Sequence, residues 1–282
     1  MGRWSGVVGG ILPALLVCSG CVSPAGPKVP VRAVVIGGVV EAGLWQALTE
    51  RFTRETGWPV EVVASGPKSP ITRAFIDTQA DLVTMHSSDA IINLVADGYA
   101  VDPQPWLKND LLIVGPPSDP AGVRGMTDAG EALARIAERG APFVVHASLG
   151  AQEVLRSVLY TAGVILDEQH TTVLLSDRAR LVLQIAAEKQ AYTLVGRIPF
   201  LSGRLPNEGL EIMVRGDPRL RRPYVVVVAN QARFPSANTQ GAAALARYLR
   251  AESTQAWIAE FGRGQLDDQP LFLRVTPQPR SQ

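Results

Sequence analysis

His86, His146 and His170 are the only histidines in the 282-residue chain, and no two stand at the i, i+4 spacing that puts paired metal ligands on one helix face. The two cysteines, Cys18 and Cys21, join none of them, so the sequence offers neither a metal cluster nor a cofactor anchor. Nucleophile chemistry fares no better. No Gly-x-Ser-x-Gly occurs, and His146-Ala147-Ser148-Leu149-Gly150 does not replace it, because a catalytic triad is a geometry and not an adjacency. Gly37, Gly38 and Gly43 imitate a dinucleotide loop loosely, yet Val63-Ala64-Ser65 stands where the second strand should end in an acid. What survives is binding chemistry. Gly37-Gly38, between a buried strand and a helix, can present backbone N–H groups as a nest for an anion. Lys68 and Ser69 add a charge and a hydroxyl from the following loop. The basic cluster Arg215, Arg219, Arg221 and Arg222 reads as a solvated loop, as does His170 among Asp167, Glu168 and Thr171. His86 closes an apolar strand, which suits a sheet edge and a cleft equally.

These residues need elements to hold them, and the sequence alternates strand and helix. Strand Ala33–Ile36 leads through Gly37-Gly38 to a helix over 42–56 with Leu44, Leu48 and Phe52 on one face, closed by Gly57. Strands follow at 60–64, 80–85 and 111–114, with helices over 70–77 and 89–97 between them. After Gly115-Pro116-Pro117 a second series begins. Asp128 with Glu131 forms a capping-box start for a helix reaching Arg139. Strand 143–146, helix 152–161, a helix over 177–188 capped by Ser176, and strands 192–195, 210–214 and 224–228 follow. Helices at 241–250 and 254–261 end the pattern, with Gly262 in the left-handed cap position. Repeated β-α-β units imply an α/β fold with mostly parallel, helix-covered sheets. About 240 residues of this kind form two lobes more easily than one, with strand ends and helix starts around a shared cleft.

The N-terminus is expected to lie outside that fold. Arg3 precedes the apolar stretch Trp4–Val17, too short to span a bilayer and suited to a signal-peptide core over 1–20. Ser19-Gly20-Cys21 is a lipobox-like cleavage site that would leave Cys21 as a lipidated first residue, followed by a Pro/Gly linker over 21–31. The mature chain then has no cysteine and no disulfide framework. Lysine and arginine number 27 against 26 acids, with no basic run interleaved with aromatics, which excludes a nucleic-acid surface.

Several stretches in order resemble the tungstate-binding subfamily of periplasmic ABC-transporter binding proteins. They include Glu50–Gly57 (ERFTRETG), Ala80–His86 (ADLVTMH), Asn109–Gly115 (NDLLIVG), Ala132–Val144 (ALARIAERGAPFV), Ile185–Leu194 (IAAEKQAYTL), Pro223–Asn230 (PYVVVVAN) and Gln269–Phe272 (QPLF). The resemblance implies a type II periplasmic-binding-protein fold with a two-strand hinge, closing on a tetrahedral oxyanion for a membrane permease. The ligand motifs depart from that pattern. The family's Thr/Ser run falls on Val35–Val39, where no hydroxyl remains. Its arginine before Ser-Gly-Thr-His falls on His146, and its Gly-Thr-Gly turn on Pro67-Lys68-Ser69. Arg197 matches the arginine after the Ala-Tyr-Thr-Leu segment. Losing three or four hydroxyl donors to a dianion is worth roughly 4–9 kcal/mol, some three to six orders of magnitude in affinity. Tungstate binding inherited unchanged is therefore not expected.

The expectation is an extracytoplasmic, lipid-anchored, monomeric solute-binding protein, not an enzyme, with no cofactor, working with an ABC permease. Its lobes would be 32–115 plus 229–275 and 116–228, with 276–282 a tail. A small anion would meet Gly37, Gly38 and Val39 by backbone and Lys68, Ser69, His146, Ser148 and Arg197 by side chain. The alternative is a non-transport lipoprotein that reuses the fold as a sensor or a protein-binding scaffold. Val22 after Cys21, where Asp would hold a lipoprotein in the inner membrane, and the stripped hydroxyl run favour it.

Overall fold

The computed structural model describes residues 1–2, 28–146, 149–175 and 178–275, those at 69 and 149 by backbone alone. The leader, Cys21, Ser148, Ser176 and the tail expected from the sequence lie outside the described residues.

The chain opens with β1 (Val31–Ile36), α1 (Gly37–Glu41), α2 (Leu44–Thr56), β2 (Val60–Gly66), α3 (Lys68–Thr78), β3 (Leu82–His86) and α4 (Asp89–Ala96). A long strand, β4 (Ala100–Gly115), leads to α5 (Ala129–Glu138), β5 (Phe143–His146), α6 (Leu149–Ala162), β6 (Thr171–Leu174), α7 (Ala179–Glu188), β7 (Tyr192–Gly196) and α8 (Arg197–Leu201). Last come β8 (Glu211–Val214), a 3-10 turn at Pro218–Leu220, β9 (Arg221–Ala229), α9 (Thr239–Arg250) and α10 (Glu252–Ile258).

Local chemistry sets many of these boundaries. Gly57 takes φ 73° after α2 and its N–H donates to Thr53 O at 2.8 Å, the left-handed stop that glycine adopts without steric cost. Asp128 caps α5 by accepting the Glu131 N–H at 2.8 Å. Lys68 and Ser69 are not loop residues but the first turn of α3. Pro70 fits the same turn, where a missing N–H leaves no intrahelical bond unmade.

Strand order is β2-β1-β3-β9-β4-β7-β5-β6, with β8 paired on β4. β1 runs parallel to β2 and β3, and β5 to β6 and β7. β4 and β9 are antiparallel to every strand they join. β4 is the connecting piece: through Asp110 it pairs with β9, and from Leu111 onward with β7 and β8. Its first half escapes the sequence pattern because Pro103 and Pro105 interrupt it. The ladder absorbs them with irregularities at Val101/Gln104 and Pro105/Leu107.

Burial divides at the same place. One apolar cluster gathers β1, β3, β9, α2 and α9 and ends on β4 at Leu107. Beyond it the side chains alternate by face. Leu111 and Ile113 pack with α5 and α6, whereas Leu112 and Val114 pack with α7 and Phe200 of α8. Period-two alternation with helices on both faces is what a doubly covered α/β sheet requires. The expected α/β architecture of two helix-flanked parts is thus the observed one.

Candidate functional site

The register of three strands builds the site. Arg222 and Tyr224 are alternate residues of β9 and share one face. Asn109 of β4 pairs with Arg222, and His86 at the end of β3 pairs with Tyr224. Cross-strand partners face the same side, so four side chains converge although the first and last stand 138 positions apart in the chain. His86 stacks on Tyr224 with ring centroids 4.1 Å apart, and its Nε2 lies 3.4 Å from Asn109 Nδ2.

These groups line a cavity of ≈ 240 Å³. Its opposite wall comes from α8 and the loop after it: Ile198, Pro199 and Leu205. Gly38, in the first turn of α1, and Gly196, the residue capping α8, also border it, so two helix starts face the space. A second hollow of ≈ 200 Å³, lined by Ser87, Gly150, Glu153 and Ser157, adjoins it through His86 and Arg222. A Cβ at Gly150 would sit 2.5 Å from Arg222 Nη1, so a larger residue there would displace the guanidinium.

Arg222 is the group that needs an explanation. Its Nε is cut off from solvent with no hydrogen-bond partner, and no carboxylate pairs with it among the described residues. Burial pushes its pKa down, opposed only by weaker attraction from groups that include Glu153. Lys68 is similar but less extreme. Burial lowers its pKa and Arg222 lowers it further, while Glu153, 3.7 Å away, favours its charge. For His86, burial first, then Arg222 and then Lys68 hold the pKa well below its ordinary value, so the ring is neutral. A buried cation without a counterion, beside a second cation and a neutral imidazole, is arranged to receive negative charge.

The residues expected from the sequence divide. Lys68 and Gly38 are at this cleft. Gly37 and Val39 flank Gly38 in α1, with the Val39 side chain in the core. His146 ends β5, half-buried. Ser69 is placed by backbone alone. Arg197 is a correction. Its guanidinium donates to Asp267 Oδ1 at 2.9 Å and Oδ2 at 3.0 Å, to Leu271 O at 3.2 Å and to Pro270 O, with only 5% of the side chain exposed. It braces α8 to the C-terminal segment through both terminal nitrogens, while its Nε, 4.0 Å from Asp110, makes no hydrogen bond. Arg222 is the second correction, because it is not part of a solvated loop. Its neighbours differ: Arg219 pairs with Asp217 and Asp128, Arg221 lies 3.5 Å from Asp110, and Arg215 is exposed.

The family described as bacterial extracellular solute-binding protein matches residues 34–263. The tungstate-binding protein TupA of Peptoclostridium acidaminophilum is 28% identical, over 96% of this chain and 98% of its own length. Among solved structures, tungstate-binding TupA from Desulfovibrio alaskensis G20 superposes with a TM-score of 0.74 at 26% identity, covering 88% of this chain and 100% of that one. The tungstate ABC transporter structure from Geobacter sulfurreducens gives a TM-score of 0.67 at 26% identity, covering 82% and 98%. The resemblance to tungstate-binding proteins seen in the sequence is borne out by these similarities.

Proposed function

The chain belongs to the family of bacterial extracellular solute-binding proteins, and we propose that it captures a small anion against Arg222 and delivers it to an ABC permease. One observation carries the proposal: a guanidinium at a cavity wall whose Nε is cut off from solvent without a hydrogen bond, and which has no carboxylate partner among the described residues. Folding around such a charge is unfavourable unless a ligand completes it. Lys68, His86, Asn109 and the first turn of α1 at Gly37, Gly38 and Val39 complete the donor set. Ser69, Ser148 and His146 are assigned to its rim from their place in the sequence. Relatives named for tungstate binding and for an ABC transporter support the same class of cargo and partner.

The cleft closes between two lobes. Because β9 packs with β1 and β3, and Leu111 packs with α5, the passages between lobes fall at Asp110–Leu111 and Leu220–Arg221. Both points precede the boundaries read from the sequence, 115/116 and 228/229, by about five and eight residues. Cys21, lipidated after removal of 1–20, tethers the protein outside the cytoplasm, and no described helix is long and apolar enough to cross a membrane.

The test is a thermal-shift panel on exhaustively dialysed protein, with tungstate, molybdate, sulfate, phosphate and small carboxylates. A ligand that binds only the native state must raise the melting temperature. A rise with at least one anion, lost in Arg222→Gln, is expected. No rise with any of them contradicts anion capture.

A further inference from the structure

We propose that the anion is a small monocarboxylate carrying a short apolar body, rather than a bare tetrahedral oxyanion. This rests on the anion-capture reading above and specifies its ligand.

Charge comes first. Five cationic side chains line or adjoin the cleft and its neighbouring hollow, and four have carboxylate partners: Lys68 has Glu153, Arg204 has Glu41, Arg221 has Asp110, and Arg219 has Asp128 and Asp217. Arg222 alone has none among the described residues. With the imidazole of His86 neutral, one positive charge is left to balance, which matches a monoanion. A dianion would bring a second negative charge into a space already bordered by Glu41.

Shape and polarity agree. A tetrahedral oxyanion directs oxygens to every side and needs donors on every wall. Here the side-chain donors Arg222, His86 and Asn109 come from β9, β3 and β4, on the sheet side, with backbone N–H groups added at the start of α1 near Gly38. The facing wall presents the side chains of Ile198, Pro199 and Leu205, and Pro199 removes one of the first-turn N–H groups that α8 would otherwise offer. The one guanidinium on that wall, Arg204, is already paired with Glu41, so oxygens turned toward it would lose water for little gain. A carboxylate has its oxygens at one end. Placed bidentately on the Arg222 fork, it lets an alkyl or aryl body lie between the Tyr224 ring and the α8 wall. The cavity of ≈ 240 Å³ has the room of about eight waters, at about 30 Å³ of liquid each. That is more than a single oxyanion occupies.

The experiment is isothermal titration calorimetry of the dialysed full-length protein at neutral pH. Acetate, propionate, butyrate, isovalerate and benzoate are compared with succinate, sulfate, phosphate, molybdate and tungstate. Affinity should rise about fourfold per methylene from acetate to butyrate, as each buries against the apolar wall. Leu205→Ser should flatten that gradient, lowering butyrate affinity more than acetate affinity. Since Leu205 is half-buried, its melting temperature is measured alongside, and Leu205→Asn serves if the serine variant does not fold. Tungstate or another oxyanion binding with all carboxylates silent overturns this inference and leaves anion capture standing. Succinate binding more tightly than butyrate, or a flat response along the series, also overturns it. Silence of every anion overturns both.

Discussion

Replacing Arg222 with methionine should make the empty protein more stable and at the same time useless as an anion binder. The two effects share one cause. The guanidinium's Nε has lost its hydration without gaining a hydrogen bond, no carboxylate among the described residues pairs with it, and Lys68 adds like-charge repulsion. An uncompensated buried charge carries an effective penalty of several kcal/mol, part of which the attraction of Glu153 returns. Methionine keeps most of the apolar stem, so little cavity is created. A net gain of about 1–3 kcal/mol follows, which is a rise of about 2–10 °C in melting temperature for a chain of this size. The assay is differential scanning calorimetry of Arg222→Met and wild type, each dialysed and then saturated with the best anion from the panel. At one hundred times its Kd a ligand stabilises the wild type by about 2.7 kcal/mol, so the order of stability should invert on saturation. If the variant melts below the empty wild type, the guanidinium is satisfied by the fold and the reasoning fails. A variant still stabilised by the anion refutes the assignment of Arg222 equally.

Three further outcomes follow from neighbouring groups. His86 is neutral in the folded and the unfolded chain above about pH 6.5; below it the unfolded chain takes up a proton that the buried ring refuses, so stability falls by up to about 1.4 kcal/mol per pH unit. Denaturant melts between pH 7 and 5 should show that slope, His86→Gln should remove it, and an identical slope in both would contradict it. Arg197→Met should cost about 3–5 kcal/mol, because it strands the carboxylate of Asp267, yet leave the anion Kd within a few-fold of wild type. A lost affinity with unchanged stability would return Arg197 to the ligand site. Glu153→Gln removes a half-exposed negative charge beside Lys68 and should tighten anion binding two- to fivefold, about 0.5–1 kcal/mol after solvent screening. Weaker binding would show that Glu153 contacts the ligand directly.

Elements with a local signature were legible in the sequence, and the site was legible only in part. Gly57 and the Asp128–Glu131 cap each act within one turn, so their residue types suffice to place them. Strand 143–146 carries its own apolar run and is found where expected. The first half of β4 was hidden because Pro103 and Pro105 oppose a strand assignment, and only pairing with β9 overrides that preference. Arg222 was missed for a related reason. Within an arginine-rich stretch it has no distinguishing neighbour, and its burial arises from Asn109 and His86, more than a hundred positions away. One signal was available: Arg222 and Tyr224 alternate about Pro223 at the start of an apolar strand, which places the charge on the face that buries the tyrosine. Arg197 was expected at the ligand by its match to the family's arginine, but its partner Asp267 lies 70 positions on and could not be read from local spacing.

The most direct test of anion capture at Arg222 is a crystal structure of the protein with the tightest anion of the panel bound. The account predicts density between the sheet and α8, with the anion's oxygens within hydrogen-bonding distance of the Arg222 guanidinium and close to His86 and Asn109. Anion density held by Arg197, or anywhere that leaves Arg222 untouched, would contradict it.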